Sequence, residues 1–304
     1  MKILVVGSVA YDAVETPAGK RESQLGGSAS YFSTSASYFT EVGLIGVVGQ
    51  DFAPSDKEMF ESHGIDTSGL IEADGKTFRW AGEYMGDINE AVTLETQLNV
   101  FGDFEPELSE AHANAPYLFL ANIDPTLQMN VLNSMNQRPK MIALDTMNLW
   151  IDIARSQLLD VIGKVDTLLI NEGEAKQLTE QEHLPDAAAA IISQGPDATV
   201  IKRGEYGAAL FGQGFSFAAP AYPLERVIDP TGAGDSFAGG FMGYLASVDK
   251  VNEETLRTAA IAGSTMASFA VEDFGLDRIK NLTQEDIKGR FKAFEDLTRF
   301  NSLA

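Results

Sequence analysis

Asp229-Pro-Thr-Gly-Ala-Gly-Asp235 is a glycine-rich turn that leads into a helical pattern, Ser236-Phe-Ala-Gly-Gly-Phe-Met-Gly-Tyr-Leu-Ala246. It follows Arg226-Val-Ile228, which we predict to be a strand. Such a turn leaves backbone N–H groups unpaired at a helix N-terminus, where they can bind an anion. Gly232 and Gly234 carry no Cβ, so a phosphate can approach the backbone closely. Asp235 lies at the mouth of this site, where an acid is useful if it orients the nucleophile that attacks the phosphate.

The same turn also allows a purely structural interpretation. Asp is a common N-cap, so Asp235 could do no more than cap the helix behind an ordinary glycine turn. Two better-known phosphate loops do not fit the chain. The P-loop pattern fails at Gly75-Lys76-Thr77 because the preceding glycine, Gly69, lies one residue too far away. The dinucleotide pattern fails because Phe237 stands where its third small residue belongs.

Asp229-Pro-Thr-Gly-Ala-Gly-Asp-Ser-Phe-x-x-Gly-Phe241 resembles the C-terminal signature of the ribokinase-like (PfkB) family of sugar and nucleoside kinases. In that family the last Asp of the turn is the catalytic base, and the Gly-Ala-Gly backbone forms an anion hole for the transferred phosphoryl group. The resemblance therefore implies that Asp235 is the base and that Gly232, Ala233 and Gly234 form the anion hole.

The composition is typical of a soluble globular protein. The chain has 304 residues, 44% of them hydrophobic and 22% charged, which is enough to bury a large core. No apolar run approaches the roughly 18 residues of a membrane span. The stretch Met1–Gly7 is too short for a signal peptide and is predicted as a first strand. Cysteine is absent, which excludes disulfides and thiolate metal sites, and the default compartment is cytoplasmic.

The net charge of −22 argues against a nucleic-acid partner, which would need a basic surface. It also repels a nucleotide at long range. Helix N-termini, Mg²⁺ and cations such as Lys202 and Arg203 must then supply the local positive potential. Three scattered histidines, His63, His112 and His183, show no ligand spacing and are interpreted as surface residues.

Short apolar runs alternate with helical patterns along most of the chain, which indicates βαβ units and a parallel sheet covered on both faces. Ligands bind at the carboxyl ends of the strands in such sheets. We therefore predict an α/β fold, which the resemblance specifies as a ribokinase-like three-layer sandwich with a mostly parallel sheet. The predicted strands are Ile3–Val6, Leu44–Val48, Tyr117–Ala121, Met141–Leu144, Thr167–Ile170 and Thr199–Ile201, and the predicted helices Ser28–Phe39, Pro54–Ser62, Leu127–Asn136, Leu149–Ile162 and Pro185–Ser193.

Two stretches break this alternation and carry period-2 patterns, as in Lys76–Trp80 and Val92–Val100. They predict a small antiparallel sheet built from residues 11–25 and 68–101, inserted into a large domain of residues 1–10, 26–67 and 102–304. Irregular surface loops are the alternative, although loops of this length are uncommon. Kinases of the resembled family carry such a sheet as a lid that shuts out water. Its exposed face is also a candidate homodimer surface.

Gly26-Gly27-Ser28 introduces a predicted helix, with Ser28 as its N-cap, and a plain helix start is the alternative. In the resembled family such a glycine pair joins the lid to the core and touches the sugar hydroxyls. An Asp placed like Asp12 binds two hydroxyls there, since paired carboxylate oxygens suit a vicinal diol. Tyr31 departs from the pattern, because many members have a sugar-binding Asn at that position.

Asn171-Glu-Gly-Glu174 resembles the family's N-x-x-E motif, which organises Mg²⁺ and phosphate through water. Oxygen ligands suit Mg²⁺, which keeps much of its hydration shell. The resemblance thus implies a nucleotide role for Asn171 and a metal role for Glu174. A helix-capping pair, with Asn171 as N-cap and Glu174 three residues later, fits almost equally well.

Val200–Gly207 is predicted as strand, turn and second strand, and resembles a family hairpin that lines the nucleotide phosphates. The resemblance places Gly204 and Gly207 there through their backbone, with Lys202 nearby.

Two further segments resemble family sites. Ala259–Ser264, which includes Ala262 and Gly263, and the pair Phe274-Gly275 resemble the segments that flank adenine. Asp229 and Thr231 resemble a monovalent-cation (K⁺) site that some members have.

The resemblance implies transfer of the ATP γ-phosphoryl group, with Mg²⁺, to a primary hydroxyl of a small sugar, with a nucleoside as the second choice. Asp235 would orient and finally deprotonate the hydroxyl, and in a loose transition state positioning matters more than basicity. A non-catalytic adenine-nucleotide-binding protein is the rival from another class, and the intact Asp235 speaks against it. A nicotinamide dehydrogenase is a weaker rival, because the dinucleotide pattern is missing.

The substrate is expected to contact Asp12, Gly26 to Ser28, Tyr31 and the lid strand that contains Phe78, Arg79 and Trp80. The aromatic side chains could stack on a flat base or fill the core of the lid. Arg79 could instead bind a substrate carboxylate in a bidentate pair. Strand alternation places Arg79 on the opposite face from Phe78 and Trp80, so the two modes cannot use one face.

Overall fold

A computed structural model describes residues 1–86, 88 and 91–301 of the chain, which form a nine-stranded and a four-stranded sheet. Residues 87, 89 and 90 of the predicted lid and 302–304 of the predicted large domain lie outside the described residues. The strands are β1 Ile3–Val6, β2 Ala10–Thr16, β3 Gly19–Gly26, β4 Val42–Gly49, β5 Asp66–Ala73, β6 Phe78–Glu83, β7 Val92–Gln97, β8 Tyr117–Leu120, β9 Met141–Asp145, β10 Thr167–Asn171, β11 Ala198–Lys202, β12 Ala208–Gly212 and β13 Phe215–Ala219. The α-helices are α1 Ser28–Ser37, α2 Pro54–Ser62, α3 Glu110–Ala113, α4 Pro125–Asn133, α5 Asn148–Ile153, α6 Arg155–Ile162, α7 Glu172–Thr179, α8 Leu184–Ile192, α9 Ala233–Val248, α10 Glu253–Ala270 and α11 Gln284–Thr298.

The large sheet has the order β13-β12-β11-β10-β9-β8-β1-β4-β5 and is parallel from β11 to β5. Its central strands β1, β4, β8 and β9 are apolar on both faces because both faces are covered. In β1, Ile3 and Val5 pack into a core that includes α1 and α9, whereas Leu4 and Val6 pack into a second core that includes α4 and α6. This three-layer arrangement confirms the predicted fold class, and all six predicted strands are present.

The small sheet has the order β3-β2-β6-β7. The β2–β3 and β6–β7 pairs are antiparallel, as predicted, whereas the central β2–β6 pair is parallel, with Asp12 opposite Trp80. Two separate excursions of the chain therefore meet along the middle of one sheet.

One boundary of the predicted lid is wrong. Residues 68–73 belong to β5, which pairs in parallel with β4 at the edge of the large sheet. An edge strand with one exposed face carries the same polar alternation as a lid strand, and this similarity explains the misassignment.

Three local predictions also need correction. Arg226–Ile228 is not a strand, and Ile228 instead donates its N–H to the Val271 carbonyl at 2.8 Å. The predicted helix Leu149–Ile162 is divided at Ala154, whose φ of −136° is not helical. His112 is buried rather than exposed, and its ring caps its own short helix by accepting from the Ser109 N–H at 3.4 Å. No helix in the described part of the chain is long and apolar enough to cross a membrane.

Candidate active site

The glycine-rich turn ends at the N-terminus of α9. Gly232 is the N-cap and has a φ of 73°, a left-handed conformation that favours glycine. A Cβ at this position would lie 2.4 Å from three ring carbons of Tyr31, so a larger residue is excluded. The Ala233 N–H donates to the Pro230 carbonyl at 3.2 Å, and an anion at this amide would have to compete with that bond.

Asp235 lies in the first turn of α9 with its pKa raised to about 7. Burial is the main cause, and the charge of Asp145 adds to it, while the Lys202 ammonium partly offsets both. A carboxyl group with a pKa near the working pH is a better proton acceptor than an ordinary aspartate. The turn thus combines the backbone N–H donors of a helix N-terminus with an acid whose pKa is raised.

Lys202 and Asp145 form an ion pair beside the turn, with Nζ and Oδ2 2.7 Å apart. Asp145 ends β9 and is 4% exposed, while Lys202 ends β11. A Cβ built on Gly234 would lie 3.0 Å from the Lys202 Nζ, so the ammonium is next to the second glycine of the turn. Burial lowers the Lys202 pKa, but Asp145 and Glu174 more than compensate and the net shift is upward.

Sequence reasoning missed Asp145. The signal was present, because Met141-Ile-Ala-Leu-Asp145 is an apolar strand that ends in an acid, just as β10 ends at Asn171 and β11 at Lys202. Carboxyl ends of neighbouring parallel strands meet at one edge of the sheet.

Asn171 and Glu174 form the capping box that was the structural alternative. The Glu174 N–H donates to Asn171 Oδ1 at 2.7 Å, and the Asn171 N–H donates to Glu174 Oε2 at 2.9 Å. Glu174 nevertheless has its pKa raised to about 7, mainly by burial, with Lys202 opposing the shift and Asp145 and Asp235 adding to it. A partly buried carboxylate beside this cluster fits an outer-sphere role towards a hydrated Mg²⁺. Within the described ranges, no group of three His, Cys, Asp or Glu side chains could hold a metal by itself.

Asp12 and the glycine pair are packed against one another. Asp12 is 5% exposed, and burial together with the Asp229 charge raises its pKa to about 7. A Cβ on Gly26 would lie 1.9 Å from Asp12 Oδ2, and one on Gly27 would lie 2.5 Å from the Ser8 carbonyl. Gly27, with a φ of 91°, is the N-cap of α1, so the prediction that Ser28 caps this helix is wrong. Ser28 instead donates its N–H to the Ser8 hydroxyl at 3.0 Å.

The three candidate aromatic residues have different environments. Tyr31 is 1% exposed, and its hydroxyl has no hydrogen-bond partner among the described residues. Phe78 stacks on Phe101 with ring centroids 5.1 Å apart, which places it in the junction between lid and core. Trp80 is partly exposed and packs beside a small apolar cluster on the inner face of the lid.

Arg79 does not join the other substrate candidates. It pairs with Tyr11 across the parallel strands, on the face opposite to Asp12 and Trp80. Its guanidinium donates to Asp51 at 3.0 Å. The structure therefore does not bring Arg79 to the Asp12 side of the lid.

Asp229 is wholly buried and connects three segments. Its Oδ1 accepts the Thr231 N–H at 2.9 Å, and its Oδ2 accepts the Gln24 amide at 3.0 Å and the Gly275 N–H at 3.1 Å. All three donors are neutral. No Lys or Arg in the described part of the chain forms an ion pair with this carboxylate, so the site fits a monovalent cation as compensation.

The predicted lid contacts residues 228–231, at the start of the turn, at three points. The Thr16 hydroxyl of β2 donates to the Ile228 carbonyl at 2.8 Å, and Gln24 of β3 donates to Asp229. The Thr231 hydroxyl donates to the hydroxyl of Tyr84, which follows β6, at 3.1 Å. We call Thr16, Gln24 and Tyr84 the lid contacts.

The structure brings together only some of the residues that were predicted to bind the nucleotide. Gly204 begins a 3-10 turn after Lys202, and Gly207, with a φ of 84°, closes it. Ala262 and Gly263 are buried where α10 packs on α9, since a Cβ on Gly263 would lie 2.8 Å from the Phe237 carbonyl, so helix packing explains them. Phe274 packs with Val14 and Tyr84 of the lid region.

The chain is similar to known proteins over most of its length. The model of the pfkB family carbohydrate kinases matches residues 1–281. The cytidine kinase of Thermococcus kodakarensis is 32% identical over 252 residues, which is 80% of this chain and 88% of that protein. A nucleoside kinase of Methanothermobacter thermautotrophicus is 31% identical over 254 residues, 82% of this chain and 78% of that protein. The crystal structure of a ribokinase from Cryptococcus neoformans in complex with ADP has a TM-score of 0.76 at 24% identity, covering 95% of this chain and 99% of that one.

Proposed function

We propose, from the premise that the chain belongs to the pfkB family of carbohydrate kinases, that it transfers the γ-phosphoryl group of ATP to the primary hydroxyl of a nucleoside. Family membership confirms the resemblance of the turn to the family signature. It also makes the chain a phosphotransferase with an alcohol group as acceptor. The observation that carries the proposal is Asp235, an acid with its pKa raised to about 7 at the donor-rich start of α9.

Asp235 acts as the base in this proposal. It accepts a hydrogen bond from the acceptor hydroxyl and takes its proton as the bond to phosphorus forms. The backbone at Gly232, Ala233 and Gly234 then stabilises charge on the phosphoryl oxygens, where fixed dipoles are effective because they need no reorganisation. Lid closure over this site would exclude water, which is the competing acceptor.

Mg²⁺ and a monovalent cation are the cofactors that we propose beside ATP. Glu174 would hold Mg²⁺ through its water shell, and the ion would neutralise charge on the nucleotide phosphates. Asp229 and Thr231 would hold K⁺, since the buried carboxylate has only neutral donors around it among the described residues.

The two relatives reported above are named cytidine kinase and nucleoside kinase, which favours a nucleoside over a free sugar as the acceptor. The sequence alone had favoured a free sugar. The inner face of the lid is compatible with a flat base, because Trp80 packs there beside Val14, Tyr84 and Phe274. Asp12 offers two carboxylate oxygens for a vicinal diol, which a ribose and many free sugars both carry. A free sugar therefore stays the second candidate.

The test is a panel of ribose, fructose, 2-keto-3-deoxygluconate, adenosine, inosine and cytidine with ATP and Mg²⁺, in which ADP release is measured. We expect kcat/KM on at least one nucleoside to exceed that on every free sugar by tenfold or more, and Asp235→Asn to abolish turnover while ATP still binds. A free sugar as the best acceptor would reverse the substrate order. Tight ATP binding without ADP release on any acceptor would favour the non-catalytic alternative.

A further inference from the structure

Lys202 brings a positive charge to the turn in a chain with a net charge of −22. It lies directly beside Asn171 in parallel register, its side chain is 17% exposed, and its ammonium is next to Gly234. The following cation points elsewhere, because Arg203 Nε donates to Glu172 at 2.8 Å. The ammonium that faces the phosphoryl site from the end of β11 is therefore that of Lys202.

Asp145 determines where this ammonium rests. One carboxylate oxygen accepts the Lys202 ammonium at 2.7 Å, and the other accepts the Thr146 N–H at 2.9 Å. The Gln128 amide also donates to the Asp145 carbonyl at 3.2 Å, which ties the end of β9 to α4. The acid is thus fixed by the backbone, whereas the lysine is a flexible four-carbon chain.

A buried Lys–Asp pair is a weak stabilising device, because removing two charges from water costs about as much as their attraction returns. The charges of Glu174 and Asp235 also raise the Lys202 pKa, so three carboxylates favour the charged form of this one ammonium. A phosphoryl group at the turn would offer this ammonium several charged oxygens, to which charge-assisted hydrogen bonds are strong.

We propose that Lys202 is a further catalytic residue, whose ammonium moves from Asp145 to the transferred phosphoryl group when the nucleotide binds. Asp145 is a positioning residue, which keeps the ammonium at the turn until then. This inference rests on the proposed phosphotransfer. In that step the acceptor oxygen bonds to the γ-phosphorus, the bond from this phosphorus to the bridging oxygen of ADP breaks, and the hydroxyl proton passes to Asp235. Lys202 remains protonated throughout.

Movement of the Lys202 ammonium from Asp145 to the phosphoryl group changes the pKa of Asp235. Burial and the Asp145 charge raise the Asp235 pKa, whereas the Lys202 ammonium lowers it. When Lys202 turns to the phosphoryl group, the Asp145 carboxylate is left without its partner and favours proton uptake by Asp235. The titratable groups that face Asp235 are Asp12 of β2, Tyr31 of α1, Tyr84 after β6, Asp145 of β9, Glu174 of α7 and Lys202 of β11.

The first experiment needs no acceptor and measures nucleotide binding by calorimetry, with Mg²⁺ and either ADP or the non-hydrolysable analogue AMP-PCP. We expect Lys202→Met to reduce the ratio of AMP-PCP to ADP affinity at least fivefold, because the variant loses a contact with the third phosphoryl group. Asp145→Asn/Lys202→Met, which removes both charges of the ion pair, should show the same loss in a folded protein. The matched control is Lys140→Met, since Lys140 forms an equally short pair of 2.7 Å with Asp249 at the opposite end of β9.

The second experiment measures kcat/KM against pH with the best acceptor. Asp145→Asn should move the acidic limb of the profile, where Asp235 becomes protonated, to lower pH by at least half a unit. A merely structural role of Asp145 would lower the melting temperature and the active fraction without moving this limb.

The inference is overturned if the affinity ratio is unchanged in the folded double variant, or if the acidic limb of Asp145→Asn coincides with that of the wild type. Either result is distinct from failure of the proposed function, in which the wild type itself would phosphorylate no acceptor while the binding ratio could still be read.

Discussion

Asp12 has a carboxyl group that the fold has almost entirely removed from water. Its pKa is raised from 3.8 to about 7, so the folded protein holds this proton more tightly than the unfolded chain does. The resulting stabilisation is fully present below pH 3.8 and is lost as the pH rises to about 7.

We therefore expect Asp12→Asn to raise the melting temperature at pH 8, by the equivalent of a few kcal/mol, and to have little effect near pH 4. The same change should weaken acceptor binding, because stability is exchanged for function at such sites. Thermal denaturation at both pH values and acceptor KM are the measurements. An equal change in melting temperature at pH 4 and pH 8 would show that the effect is not electrostatic.

The capping role and the metal role of Glu174 predict different effects of mutation. Glu174→Ala removes both the capping bond to the Asn171 N–H and the carboxylate that we propose for the hydrated Mg²⁺. If the metal role holds, the Mg²⁺ concentration for half-maximal rate should rise several-fold, with a change in unfolding free energy of about 1 kcal/mol or less. Glu174→Gln is the control, since its amide keeps an oxygen for the capping bond but carries no charge. A large loss of melting temperature in Glu174→Ala with unaltered Mg²⁺ dependence would leave only the capping role.

The lid contacts are the feature to test at the level of secondary-structure elements. The lid contacts bind residues 228–231, at the start of the anion turn, through one backbone carbonyl and two side chains, so displacement of the small sheet must break these bonds. Tyr84→Phe and Thr16→Val each remove one such bond, which contributes about 1 kcal/mol.

Each variant is expected to reduce kcat/KM for the acceptor about three- to tenfold while the KM for ATP stays nearly constant. Tyr117→Phe is a matched control, because Tyr117 is also buried but its hydroxyl donates to Asp249, away from the turn. Equal losses in the control and in Tyr84→Phe would refute the coupling between lid and turn.

The alternation of apolar strands and helices made the large sheet predictable from sequence, because each buried parallel strand is a continuous apolar run. The polar edge strand β5 was assigned to the lid, since a half-exposed strand looks the same in either sheet. The turn at 229–235 could be interpreted from its own residues, whereas the strand-end position of Asp145 was visible in the sequence but its pairing with the distant Lys202 was not. Whether an aromatic side chain faces a substrate or a core depends on packing across elements: Tyr31 is buried, and Phe78 stacks on Phe101.

At the scale of the molecule, the net charge of −22 should slow the arrival of ATP. Salt shortens the Debye length from about 30 Å at 0.01 M to about 8 Å at 0.15 M, so the ATP association rate should rise over this range. Stopped-flow binding in tetramethylammonium chloride, which avoids K⁺, measures this rate. The uncharged nucleoside is the control and should show no trend. A falling rate for ATP would mean that local positive charge dominates the approach.

The outer face of the lid is the surface that we propose for a homodimer. β7 is exposed along its whole length, and Val92 and Leu94 are 52% and 59% exposed. Exposed apolar side chains on an edge strand favour pairing with another chain. We expect sedimentation velocity to give a dimer for the wild type and a monomer for Leu94→Glu. A wild-type monomer at micromolar concentration would contradict the proposal.

The parallel pairing of β2 with β6 also governs the order in which the molecule is assembled. Parallel partners cannot be joined by a tight hairpin, and here α1, β4, α2 and β5 all lie between them in the chain. During synthesis the β2–β3 hairpin therefore leaves the ribosome with an open edge, and this edge stays unpaired until residue 83 has followed. Contacts of such long sequence separation form slowly, because the loop between them must first be ordered. The small sheet is thus expected to be completed late in folding, and until then its nascent hairpin keeps an unpaired strand edge.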